Sequence, residues 1–177
     1  GTLPEGKQEQ LFEIKGDVRN PSYSIDGNSL YFSSNVDGDW GLYRYSFTTR
    51  LIELVTAEHG QFAVESPDGG IYFSKENVDG IFYLSKDKMK SYRVTQNLNK
   101  KDWGSFFYLN GALHYLKRDN QLDKLVRIDK EGVEHELMTF PIFSIRNYRA
   151  FSPIENNKIA VTMQGISGAD IYSIPLQ

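Results

Sequence analysis

Apolar and polar residues alternate along most of this chain in short runs separated by turn dipeptides, as in Gly41-Leu42-Tyr43-Arg44-Tyr45-Ser46-Phe47. A period of two puts successive side chains on opposite faces of an extended strand, so each run predicts a strand with one covered face. No window of ten or more residues sustains the period of an amphipathic helix. The pattern therefore predicts an all-β chain of many short strands.

The runs recur as a unit. A Ser-x-Asp-Gly turn precedes an aliphatic-aromatic strand at Ser24-Ile25-Asp26-Gly27 before Leu30-Tyr31-Phe32, and at Ser66-Pro67-Asp68-Gly69 before Ile71-Tyr72-Phe73. Tyr108-Leu109-Asn110-Gly111 before Ala112-Leu113-His114-Tyr115 is a third copy, and Ser152-Pro153 followed by Asn156-Asn157-Lys158-Ile159-Ala160-Val161 a degenerate fourth. A repeat of about 42 residues with several strands per copy is the signature of propeller blades, antiparallel meanders that bury their faces against neighbouring copies. The predicted fold class is an all-β, β-propeller-like array of four four-stranded antiparallel blades, at about 17–57, 58–97, 98–140 and 145–177, with residues 1–9 as a linker.

Strands a to d of a blade run from the channel outward. In the first copy they fall at 21–25, 29–34, 41–47 and 51–56; in the second at 62–66, 71–75, 81–85 and 92–95; in the third at 105–109, 112–117, 124–129 and 135–139. The second copy is expected to repeat even the b-to-c turn, since Asn77-Val78-Asp79-Gly80 is identical to Asn35-Val36-Asp37-Gly38. The fourth supplies only 149–152, 158–163 and 170–174. Gln10-Leu11-Phe12-Glu13-Ile14-Lys15 resembles the d strand of the first copy, and two placements suit it. It completes the last blade and closes the ring within one chain, or it ends an earlier blade and leaves an open half-ring that pairs with a second copy as a homodimer. Closure within one chain is the expectation.

Composition narrows the function classes. Aromatic residues make up 14% of the chain, which suits sheets. Twenty basic and 23 acidic residues are interspersed at a net charge of -3, so this segment lacks the basic face that nucleic acid requires. The absence of cysteine removes disulfide and thiol chemistry and leaves the compartment open. No apolar run approaches the ~20 residues that span a bilayer, and the N-terminus lacks a signal-peptide shape, so this segment is expected to make no membrane contact. Gly1 in place of Met points to a chain processed or excised from a longer one.

The pattern Pro-x-x-Ser-x-Asp-Gly, an aliphatic-aromatic strand, a turn and an Ile/Leu-Tyr strand resembles the repeat of TolB-type propellers, relatives of WD40-like blades. Pro21, Ser24, Asp26, Gly27, Tyr31, Phe32, Asp37, Gly38, Leu42 and Tyr43 match in the first copy, and Ser66, Pro67, Asp68, Gly69, Tyr72, Phe73, Asp79 and Gly80 in the second. The resemblance covers residues 17–177, and the third copy departs from it at Asn110-Gly111. More narrowly, the order Gly41-Leu42-Tyr43-Arg44, Glu65-Ser66-Pro67-Asp68-Gly69, Trp103-Gly104-Ser105-Phe106-Phe107 and Gly168-Ala169-Asp170-Ile171-Tyr172 is similar to the extracytoplasmic propellers of bacterial membrane-anchored winged-helix transcriptional regulators. That likeness implies a periplasmic or extracytoplasmic sensory domain, with DNA bound only by a domain upstream. The broader one implies a TolB-like periplasmic protein-interaction domain. A propeller attached to a prolyl oligopeptidase-type serine peptidase is the third setting.

Catalytic chemistry finds little purchase in the residues. His59, His114 and His135 fall at a d-to-a loop, a b strand and a d strand and are not expected to converge into a triad. Gly165-Ile166-Ser167-Gly168 lacks the spacing of a nucleophile elbow. Asn35-x-Asp37-x-Asp39 begins like a calcium loop but lacks its later ligands, and its Asp-Gly recurs where hairpin turns recur. No catalytic residue, metal ligand or cofactor is therefore expected. What does not repeat is a set of large and charged residues where the a strands begin and the b-to-c turns emerge, one face of a propeller. Trp40, Trp103, Arg19, Gln61, Asp102, Arg146 and Arg149 are the candidate binding residues, with Lys100 and Lys101 beside them. Arg and aromatic side chains on one loop-built face are suitable anchors for a protein or small-molecule ligand.

Overall fold

The computed structural model describes residues 9–145, 149–154, 157–165 and 168–176. Among them the regular structure is β, with a single 3-10 turn at Lys100–Asp102. The first meander is β1 (Val18–Tyr23), β2 (Ser29–Ser34), β3 (Gly41–Ser46) and β4 (Ile52–Thr56); the second is β5 (Gly60–Glu65), β6 (Ile71–Lys75), β7 (Val78–Leu84) and β8 (Ser91–Thr95). The third comprises β9 (Phe106–Leu109), β10 (Ala112–Arg118), β11 (Leu122–Ile128) and β12 (Glu134–Pro141). The fourth has three strands, β13 (Phe151–Ile154), β14 (Lys158–Gly165) and β15 (Gly168–Pro175). All neighbours pair antiparallel in chain order, and the inner strands β1, β5, β9 and β13 adjoin one another in turn.

Strand alternation explains the stacking. Tyr31 and Leu42 face the second blade, where Ala63, Phe73 and Leu84 receive them, while Phe32 and Tyr43 face the other way. Phe62 and Ile81 pack on Phe106, Tyr115 and Val126 of the third blade, whose Phe107, Leu116 and Leu125 pack on Phe151, Ile159 and Val161 of the fourth. The core is thus three layers between blades rather than one centre, as repeat architectures require.

Residues 10–15 form no strand and do not complete the fourth blade. Phe12 stacks on Phe32 and Tyr45 with ring centres 5.0 and 4.9 Å apart, and the Tyr45 hydroxyl donates to the Leu11 carbonyl at 3.1 Å. Phe12 and Ile14 cover the outer aromatic face of the first blade instead. There the two side chains bury apolar surface on Leu30, Phe32, Tyr43 and Tyr45. The expected closure is not made.

The identical tetrapeptides also fold differently. At Asn35 to Gly38 the Gly38 amide donates to the Asn35 carbonyl at 2.9 Å, and the Tyr43 hydroxyl donates to Asp37 at 2.8 Å. In the second copy Asn77 takes φ +59°, Val78 already pairs with Lys75, and Gly80 lies inside β7 at φ +112°. Its amide donates to the Leu98 carbonyl, and a Cβ there would stand 2.4 Å from the Thr95 carbonyl oxygen. Gly80 is therefore required by close approach as well as by φ. The tertiary neighbours, not the four residues, choose the turn.

Candidate binding site at the channel mouth

Each a strand leaves from the same face, so the d-to-a and b-to-c loops share it, and the candidate residues fall there. Arg19, on β1, lays its guanidinium carbon 3.4 Å over the Trp40 ring, and its Nη2 donates to Glu76 Oε1 at 2.8 Å. The three residues tie the first blade to the second through a cation–π contact and a partly exposed ion pair. Gln61 contributes its backbone: its carbonyl accepts from Asn20 Nδ2 at 2.9 Å and from the Ser33 hydroxyl at 2.5 Å.

Asp102 leaves the candidate set. It is 1% exposed and takes Arg118 in two parallel bonds, Nε to Oδ2 at 2.7 Å and Nη2 to Oδ1 at 3.0 Å. Arg118 Nη1 donates to the equally buried Asp123 at 2.6 Å, and Nη2 to the Ile145 carbonyl at 2.8 Å. Burial opposes the guanidinium charge, and the bonds to Asp102 and Asp123 overcome it and raise the Arg118 pKa. Asp102 is an internal tie between loops. Its position in a loop points to the surface, but Arg118 on β10 draws it inward.

Arg149 is the contrast. Its Nη1 donates to the Pro21 carbonyl at 3.0 Å, a bond between the entry to the fourth blade and the inner strand of the first, 128 residues apart. Its guanidinium carbon lies 4.7 Å from the Phe62 ring centre, and Trp103 meets Phe62 edge-on at 6.1 Å. Gly104 makes room, since a Cβ there would stand 2.5 Å from Arg149 Cγ. Among the described residues no carboxylate pairs with Arg149, and burial draws its pKa down. Lys100 and Lys101 stand exposed on the neighbouring turn, whose backbone amides bond Asp79 and Asn99. Arg146 lies outside the described residues.

The sequence matches no family model and no curated protein. Solved structures do match. TolB from Acinetobacter baumannii superposes with a TM-score of 0.66 at 16% identity, over 98% of this chain and 47% of that one. A putative TolB from Agrobacterium tumefaciens gives 0.63 at 14%, over 88% and 64%, and a streptogramin B lyase 0.61 at 14%, over 93% and 57%. The fold is that of a TolB-like β-propeller. The chain spans about half to two thirds of the length of these structures.

In this propeller the histidines do not meet, His114 and His135 lying on β10 and β12 of the third blade with Arg127 of β11 between them. His114 is buried, stacked on Phe107 at 4.9 Å with rings 3° from parallel, and burial lowers its pKa to about 4. His135 bonds Asp129 at 2.7 Å, and His59 sits in the β4–β5 connection at φ +53°. The acidic residues of the repeated turns serve those turns: Asp26 accepts from Ser24 and Asn28, and Asp68 from the Gly70 amide and the Tyr83 hydroxyl. Sequence reasoning did not single out Phe62 and Glu76 at the mouth. Glu76 has a legible signal, a carboxylate at a b-to-c turn opposite the basic Arg19.

Proposed function

We propose that this chain is a non-enzymatic binding module whose channel-mouth loops take a protein or small-molecule ligand. Arg149 carries the reading: a guanidinium over Phe62, beside Trp103, with one backbone carbonyl as acceptor and no carboxylate among the described residues. A hydrogen-bond-accepting group on a ligand completes it, and the aromatic rings supply apolar area. The separation of the histidines and the engagement of the turn carboxylates support binding rather than catalysis. Two settings use this face. One is a periplasmic TolB-like protein-interaction domain, supported by the fold; the other is the extracytoplasmic sensor of a bacterial membrane-anchored regulator, supported by Gly41-Leu42-Tyr43-Arg44 and the Trp103 motif.

The test is photo-crosslinking from single positions in cells that carry the gene. Crosslinkers at Lys101 and Phe143 on the loop face capture a ligand, those at Met89 and Val133 on the opposite turns do not, and Arg149→Gln lowers the yield about tenfold. Equal yield from both faces, or indifference to Arg149→Gln, overturns the proposal.

A further inference from the structure

The opposite face holds a separate cleft of about 250 Å³ between the first and second blades. Its first wall follows from strand register: Tyr31, Arg44 and Glu53 are cross-strand neighbours on β2, β3 and β4, on the face turned to the second blade. Val55 continues that face, and Ile71 and Leu84 form the apolar side opposite, with Lys86 and Lys88 on the β7–β8 turn above them.

Two of the cleft's carboxylates, Asp26 and Glu65, are held by hydrogen bonds, while its cations are held more loosely. Glu65 receives the Tyr31 hydroxyl at 2.9 Å and the Ile25 amide at 2.7 Å. Asp26 is taken up by Ser24 and Asn28 in its own turn. Arg44, in contrast, makes its one ion pair among the described residues with the exposed Glu53, at 3.5 Å from Nη1, and its Nε is shut off from solvent with no acceptor. Lys88 bonds a backbone carbonyl, that of Leu54, at 2.7 Å, and the Lys86 ammonium forms no ion pair among the described residues. Nε is closed to a ligand as it is to solvent; what Arg44 offers the cleft is its Nη atoms, on a side chain 37% exposed and held by one long, exposed ion pair of little strength.

We propose that this inter-blade cleft binds a small organic acid, its carboxylate on Arg44 and Lys86 and its apolar body against Val55, Ile71 and Leu84. A planar guanidinium matches a carboxylate in a two-bond fork. The volume lies below the ~300–1,000 Å³ of clefts for drug-sized ligands, which sets the ligand at about a dozen heavy atoms. The site is independent of the channel mouth.

Phenylacetate is the probe, with phenylacetamide and inorganic phosphate as comparisons, read by NMR on the Arg44 Nε–Hε and the Ile71 and Leu84 methyl signals. Phenylacetate is expected to move all three together at about millimolar concentration. Phenylacetamide should bind about tenfold more weakly or worse, and Arg149→Gln should leave the response unchanged. Arg44→Gln abolishes the response with the circular dichroism spectrum intact; Lys86→Gln, at an exposed turn, is the second variant and weakens it. Equal binding of the amide, or shifts elsewhere on the surface, refutes the site. Phosphate that moves Arg44 while phenylacetate leaves the methyls still refutes the organic acid and leaves an anion site.

Discussion

His114 ties a single residue's environment to the stability of the whole chain. Buried against Phe107, it titrates at about 4 when folded and near its ordinary 6.5 when unfolded. Between those values the unfolded chain binds a proton that the folded chain does not, so stability falls as pH drops from 6.5 to 4 and is fully present above 6.5. The loss is on the order of 3 kcal/mol, and His114→Gln should remove that part of the slope in urea titrations across this range. A slope unchanged in the variant would show that another group carries it. Below 4.5 a second loss begins at Glu134, held to about 2: burial raises its pKa, but bonds from Tyr115, Lys117, Thr95 and Asn97 lower it further. The same accounting separates Asp102 from Arg149. Asp102 is an anion enclosed by its cation, whereas Arg149 is a cation with no anion among the described residues.

At the scale of elements, Gly80 shows how tightly the blades are fitted. Gly80→Ala meets the Thr95 carbonyl at 2.4 Å and an unfavourable φ together, so it should cost about 3 kcal/mol or more by thermal or urea unfolding. Gly132→Ala, at φ +80° with nothing within 4 Å, should cost about 1 kcal/mol. Similar losses at both sites would mean that φ, not the approach of β8, decides. Such fits limit what a sequence reveals. The b strands β2 and β6 are legible to the residue because their alternating apolar runs stop at turn residues. Asn77 was not, since its turn depends on the Leu98 carbonyl taking the Gly80 amide. The mouth was legible as a set of loop positions, but Asp102 and Arg149 differ only in partners supplied by other strands. The organic-acid cleft left one trace, Arg44 at an inward position of β3 between Leu42 and Ser46.

For the whole molecule, the decisive surface is the aromatic outer face of the first blade. Residues 9 to 16 cover it without joining its sheet, through Phe12, Ile14 and the Leu11 carbonyl. Removing residues 1 to 16 should uncover Phe32, Tyr43 and Tyr45 and turn the chain into a concentration-dependent oligomer by light scattering. A truncated chain that stays monomeric at its original stability would show that the cover is dispensable. At the other end β15 keeps an outer edge without a strand partner among the described residues, and Ile171 on it is 77% exposed. Among the described residues no strand of the fourth blade pairs with one of the first, and a side chain links the two. That side chain is Arg149, and its bond to Pro21 makes the mouth a clasp: under the proposed function, a ligand that takes Nη1 breaks this bond between the fourth blade and the first. Occupancy and the spacing of the outer blades are then two readings of one equilibrium, so anything that pulls those blades apart favours the ligand, and anything that presses them together expels it.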